Sequence, residues 1–181
     1  MVTIVISPLI ALIKDQIDHL SKKGIVAKSI NSKLNTNQKK KIIADLQSET
    51  PETCLLYVTP EFCETDTCQC LFTNLMNKNR LASIVIDEAH CISMWGRDFR
   101  PSYKSLANLR LQIDKNVPWI ALTATSAENV KQDIITTLGF KEEYETFKLK
   151  SFRPNLIYDV KFRSDDPESV SVFSTNLIYL Y

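Results

Sequence analysis

Residues 83–101 read SIVIDEAHCISMWGRDFRP. The run SIVI is apolar and nearly continuous rather than alternating, the pattern of a strand buried on both faces. Comparable runs stand at TIVI (3–6), CLLYV (54–58) and WIALTA (119–124), with a weaker one at IVAKSI (25–30). Strands of this kind need helices packed over them, and the segments between them supply helical patterns. Ser7 and Pro8 read as the cap and first residue of a helix whose apolar face follows at Leu9, Leu12, Ile13, Ile17 and Leu20. Ile42, Ile43 and Leu46 mark a second helix. Ser126 is expected to cap a third, with its face at Val130, Ile134 and Leu138 and its stop at Gly139. The alternation predicts a doubly wound α/β domain with a mainly parallel sheet flanked by helices.

Such sheets bind ligands beyond the carboxyl ends of their strands. Four polar clusters fall at those ends: Ser7-Pro8, Thr59-Pro60-Glu61, Asp87-Glu88, and Thr123 to Ser126. One such cluster is an ordinary helix cap, but four mark one functional edge. Within it, an aspartate ending a buried strand can hold Mg²⁺, and a neighbouring glutamate can point at the attacking water of a phosphoryl transfer. A nucleotide also needs a glycine-rich phosphate loop ending in Gly-Lys-Ser or Gly-Lys-Thr. The chain has three glycines, Gly24, Gly96 and Gly139, followed by Ile, Arg and Phe. The expectation is therefore a domain that begins after its first strand and phosphate loop, and a chain that does not turn over ATP alone.

The 181 residues are 44% hydrophobic and 24% charged, which suits one globular core. A net charge of +1 gives no global pull on nucleic acid, although eight lysines stand against two aspartates between Lys14 and Lys41. That excess suits either phosphate or a solvated helix face. The five cysteines follow no common zinc spacing, so no zinc is expected. The absence of a signal peptide and of a membrane-length apolar run points to a reducing intracellular compartment and no membrane. Trp95, between polar loop residues, reads as exposed, whereas Trp119 reads as structural and His19 as a surface residue. The domain is expected over residues 1–150, a connector around Pro154 over 151–162, and a divergent tail over 163–181.

DEAH followed by CISMWGRDFRPSY resembles motif II and the aromatic-rich loop of the RecQ family of ATP-dependent DNA helicases. VISPLIALIKDQIDHL, YVTPE, ALTATS and SFRPNLIYDV are similar, in order and spacing, to motifs Ia, Ib and III and to the interdomain linker of that family. KSINSKL with LLYVTPE leans towards one animal member. The resemblance implies a RecA-like fold and a 3′ to 5′ helicase that couples ATP hydrolysis to DNA unwinding in recombination and repair. ATP and Mg²⁺ would be its cofactors, and single-stranded and branched DNA with a second motor domain its partners. The nucleus would be its compartment.

Asp87 would bind the magnesium of MgATP and Glu88 would place the hydrolytic water. His90, Thr123 and Thr125 would couple nucleotide state to the second motor domain. Ser7, Pro8, Thr59 and Glu61 would form the strand-tracking edge, and Arg153 would sit in the linker beside the nucleotide cleft. Trp95 and Phe99 would stack on unpaired bases while Arg97 and Arg100 meet the backbone, which makes the loop a coupling device. Met94 and Arg97 depart from the family's usual glutamine and histidine, and arginine offers no neutral imidazole. Two other readings are a DEAH-type RNA helicase fragment, which the continuous aromatic loop argues against, and a catalytically silent DNA-binding or partner-binding module.

Overall fold

The computed structural model describes residues 1–95, 99–124, 127–140 and 144–148. Met1–Tyr144 forms one unit and Glu145–Tyr181 a second, in which the described residues 145–148 hold neither helix nor strand. The expected connector over 151–162 and the tail over 163–181 lie outside the described residues. The first unit runs β1 (Val2–Ile6), α1 (Ile10–Lys22), β2 (Ala27–Ile30), α2 (Thr36–Gln47), β3 (Leu55–Val58), α3 (Pro60–Cys63), α4 (Asp66–Asn77) and β4 (Leu81–Ile86). It continues through a 3-10 turn (Ala89–Ile92), α5 (Pro101–Lys104), α6 (Leu106–Gln112), β5 (Trp119–Ala121) and α7 (Glu128–Thr137). The sheet order is β2-β3-β1-β4-β5, and every pairing is parallel. Each of the five apolar runs therefore became a strand, and the α/β expectation holds.

Period-two alternation splits the strands between two cores. Ile4, Ile6, Leu56, Val58, Ile84 and Ile86 are fully buried in a cluster with Leu46 of α2, Phe72 and Leu75 of α4, Leu106 of α6 and Ile134 of α7. The opposite face is thinner, with Val5, Ala27 and Tyr57 meeting Ile13, Ile17 and Leu20 of α1. That cover does not reach the edge strand β5, where Ile120 is 45% exposed.

Local chemistry sets the helix ends, in two places differently from expectation. Ser7 does not cap α1: its N–H still bonds the Val58 carbonyl at 3.0 Å, so the chain has not left the sheet and the helix starts only at Ile10. At α7 the cap position belongs to Ala127, which makes no side-chain cap bond, while Ser126 lies outside the described residues. Gly139 ends that helix as expected, at φ +57°, where the next amide, Phe140 N–H, reaches back to the Ile135 carbonyl. Sequence reasoning passed over α4, which Thr65 caps and which buries Cys68, Leu71, Phe72 and Leu75 at helical spacing. Cys63, Cys68 and Cys91 are core side chains. No described helix is long and apolar enough to cross a membrane.

Because Phe72 is buried in the larger core, Phe72→Ala should lower the unfolding free energy by about 3–5 kcal/mol in urea titrations. The smaller truncation Phe72→Leu should cost less, about 1–2 kcal/mol.

Candidate functional site

Strand register assembles the site. Ile6 pairs with Val58 on one side and Ile86 on the other, and Ile86 pairs with Ala121. The residues that follow, Ser7, Thr59, Asp87 and Leu122, therefore come abreast at one end of the sheet. Backbone bonds continue past the strands: Asp87 N–H donates to the Ile6 carbonyl at 2.9 Å and Leu122 N–H to the Ile86 carbonyl at 2.8 Å. Ser7 is fully buried, and its hydroxyl donates to Asp87 Oδ2 at 3.0 Å. Asp87 Oδ1 accepts the N–H of Glu88 at 3.0 Å.

Glu88 itself sits at φ 50°, ψ 43°, in the left-handed region. For a residue with a Cβ this costs about 1–2 kcal/mol, and it turns the chain out of β4 into the 3-10 turn. Glu88 Oε2 then lies 3.2 Å from His90 Nδ1, which is also 3.1 Å from Thr123 Oγ1. A carboxylate is acceptor-only, so it selects the tautomer or ion with hydrogen on Nδ1. His90 thus joins the acidic turn after β4 to the segment after β5.

The aromatic loop leaves this turn through a closed root. The buried Ser93 hydroxyl donates to Asp133 Oδ2 of α7 at 2.5 Å and accepts Trp95 N–H at 3.1 Å. Arg100 N–H bonds the Cys91 carbonyl at 3.0 Å across the loop's base. Beyond that root Trp95 is 75% exposed and Phe99 37%, with Lys104 Nζ 5.1 Å from the Phe99 ring. The chain returning from the loop, Arg100 with α5, is fastened at three points. Arg100 Nη1 donates to the Pro8 carbonyl at 3.2 Å, Ser102 Oγ to Glu61 Oε1 at 3.1 Å, and Tyr103 Oη to the Asp87 carbonyl at 2.8 Å. Tyr103 is fully buried, and burial first, then the charges of Cys91 and Asp87, push its phenol far above the usual value. It is a fixed donor.

The fold thus brings Ser7, Pro8, Glu61, Asp87, Glu88, His90, Arg100 and Thr123 into one bonded set, with Trp95 and Phe99 beside it. Thr59 lies at the same edge, buried, heading α3 without a side-chain cap bond. Arg97, Thr125 and Arg153 lie outside the described residues. Sequence reasoning missed Ser93, Ser102, Tyr103 and Asp133. A tyrosine that is buried needs a hydroxyl partner, but burial of Tyr103 had no periodic signal in so short a helix.

A family model described as DEAD/DEAH box helicase matches residues 1–133. The chain is 44% identical over 167 residues to the ATP-dependent DNA helicase Q5 of Rattus norvegicus, which covers 92% of this chain and 17% of that protein. It is 42% identical over 165 residues to the ATP-dependent DNA helicase hus2/rqh1 of Schizosaccharomyces pombe, covering 91% and 12%. Against the ATP-dependent DNA helicase RecQ of Haemophilus influenzae it is 39% identical over 172 residues, covering 94% and 26%. The chain belongs to the DEAD/DEAH box helicase family, in its RecQ branch. It spans between about an eighth and a quarter of the length of these three relatives.

Two substitutions test the geometry. Glu88→Gly should be more stable than Glu88→Ala by about 1 kcal/mol in chemical denaturation, since both remove the carboxylate but only glycine relieves the positive φ. Tyr103→Phe should cost about 1–3 kcal/mol by stranding the Asp87 carbonyl.

Proposed function

We propose that this chain carries the hydrolysis edge and the strand-contacting edge of an ATP-dependent 3′ to 5′ DNA helicase motor acting in recombination and repair. The carrying observation is the root of the aromatic loop, where residues 100–103 hydrogen-bond to Pro8, Glu61 and the Asp87 carbonyl. A nucleic-acid strand held by the loop would pull on the same segment that supports the acidic turn.

Asp87 fits a magnesium ion. Among the described residues each of its oxygens accepts one hydrogen bond, which leaves it a lone pair to offer, and Mg²⁺ asks a protein for only one or two carboxylates, the rest being water and phosphate. When bound, MgATP would supply the phosphoryl group and the neutralising cation. Ser7 orients Asp87 from within the core, so its side chain serves the strand edge indirectly. Glu88, steadied by His90, would orient a water and accept its proton. His90 and Thr123 would report the state of that carboxylate to the β5 end.

Trp95 and Phe99 would offer ring faces to unpaired bases, and Arg100, whose guanidinium gives one donor to Pro8 among the described residues, would offer the others to phosphate. Single-stranded and branched DNA are the expected substrates, and a second motor domain, reached through the linker of Arg153, the expected partner. The chain contains no Gly-Lys-Ser or Gly-Lys-Thr phosphate loop. On its own it should therefore bind DNA without turning over ATP. That feature also favours the second reading, a catalytically silent DNA-binding module. A nuclear setting rests on the leaning towards the animal relative.

With the 181-residue chain and a single-stranded thymidine oligonucleotide, binding should weaken as salt rises, and Trp95→Ala should weaken it about tenfold. No ATP hydrolysis should accompany it. DNA-stimulated hydrolysis that disappears in Glu88→Gln would show that the chain is a complete hydrolase; equal affinity of Trp95→Ala for the oligonucleotide would remove the stacking role.

A further inference from the structure

Away from the acidic edge, α6, the start of β5 and the end of α7 enclose a groove of about 400 Å³. Trp119 is the first residue of β5, and α7 follows β5 and ends at Thr137, so the groove lies at the amino end of the sheet. Asp87 lies beyond the opposite, carboxyl end. Arg110 of α6 lines the groove with its guanidinium carbon 5.1 Å from the Trp119 ring and 5.1 Å from the Phe140 ring. Three arginines are described. Arg80 bonds the Ser48 and Glu49 carbonyls and Arg100 the Pro8 carbonyl, but Arg110 makes no hydrogen bond or ion pair among the described residues. Desolvation lowers its pKa, yet a guanidinium stays charged throughout the physiological range.

A cation fixed between two rings and left with its N–H fork unused is prepared for a planar, bidentate acceptor. The groove around it narrows the choice. Leu111, 86% exposed, and Val117 present apolar surface beside it. Lys115 adds one positive charge, while Asp114 and the carbonyl end of α7 oppose it. A polyanion such as a nucleic-acid backbone would meet that opposing field at every phosphate. A lone carboxylate on an apolar segment would meet it once only, at Arg110 itself.

The geometry points to a docking site for an acidic, apolar peptide segment of a partner protein, with one aspartate or glutamate across Arg110 and a neighbouring aliphatic side chain on Leu111 and Val117. Arginine and tryptophan are the residue types that most often dominate such contacts. Clamping Arg110 beforehand reduces the entropy lost on binding. A partner seated here leaves the acidic edge and the aromatic loop uncovered, so the site stands or falls independently of the helicase reading.

The probe is a capped pentapeptide, Ala-Leu-Asp-Leu-Ala, titrated into the 181-residue chain while NMR follows the Arg110 Nε–H and Trp119 indole N–H signals. Both signals should move, with a millimolar dissociation constant, and the asparagine twin of the peptide should bind about tenfold or more weakly, the loss of one charge-assisted bidentate contact. Arg110→Lys, which keeps the charge and loses the fork, should weaken the acidic peptide by about the same factor with an unchanged circular dichroism spectrum. The proposal is overturned if the asparagine twin binds equally, if neither signal moves at about 20 mM peptide, or if a thymidine oligonucleotide moves them at lower concentration. Shifts that depend on protein concentration without peptide would overturn it in favour of a second copy. The twin-peptide comparison uses unmodified protein, so it decides even if Arg110→Lys does not fold.

Discussion

Ile6 sits between Val58 and Ile86 in a parallel sheet, and Ile86 sits beside Ala121. Parallel strands in register deliver their next residues to one edge, about 4.8 Å apart per strand. Ser7, Thr59, Asp87 and Leu122 are those residues. The polar network of the site follows from that alignment: Ser7 can reach Asp87 only because the two strands are neighbours that end level. A slip of one residue along β4 would put the Asp87 side chain on the other face of the sheet.

From this edge the structure builds outward by fastening. Tyr103 and Ser7 hold Asp87 from the core, one through its carbonyl and one through its carboxylate. Glu88 is strained into the left-handed region, and the pairing of Ala89 N–H with the Leu122 carbonyl at 2.8 Å holds the turn in place. Local strain of this kind persists where surrounding contacts over-determine the backbone. Ser93, pinned to Asp133, carries the same discipline into the aromatic loop, so that exposed Trp95 rises from a rigid base.

The two ends of the sheet differ in chemistry. At the carboxyl end the described polar groups bond to each other across several elements, and their side chains are mostly spent on mutual orientation. At the amino end of β5, Arg110 meets two ring faces and, among the described residues, no hydrogen-bond acceptor. Sheet cover differs too, with one face packed by α2, α4, α6 and α7 and the other by α1. Ile120, on the thinly covered side, stays exposed for that reason.

The sequence by itself determined the strands and the edge. Short, near-continuous β-branched runs read as strands of a helix-covered parallel sheet, and small polar or acidic residues recurring at their ends mark where the chain leaves the sheet. The DEAH run and the loop after it also carry the family, since those residues are adjacent in the chain. What lay beyond reach depended on residues far apart in sequence. Ser7 read as a helix cap because its neighbours were helical in pattern; only the sheet showed that its amide still pairs with Val58 and its hydroxyl with Asp87, eighty positions away. The α4 helix hid behind a cysteine spacing that drew attention to metal chemistry, although Cys68, Leu71, Phe72 and Leu75 held the helical period. Tyr103, Ser93 with Asp133, and the clamp on Arg110 have no local signature at all. Each is a meeting of side chains from different elements, and such meetings are decided by packing, which no linear pattern encodes.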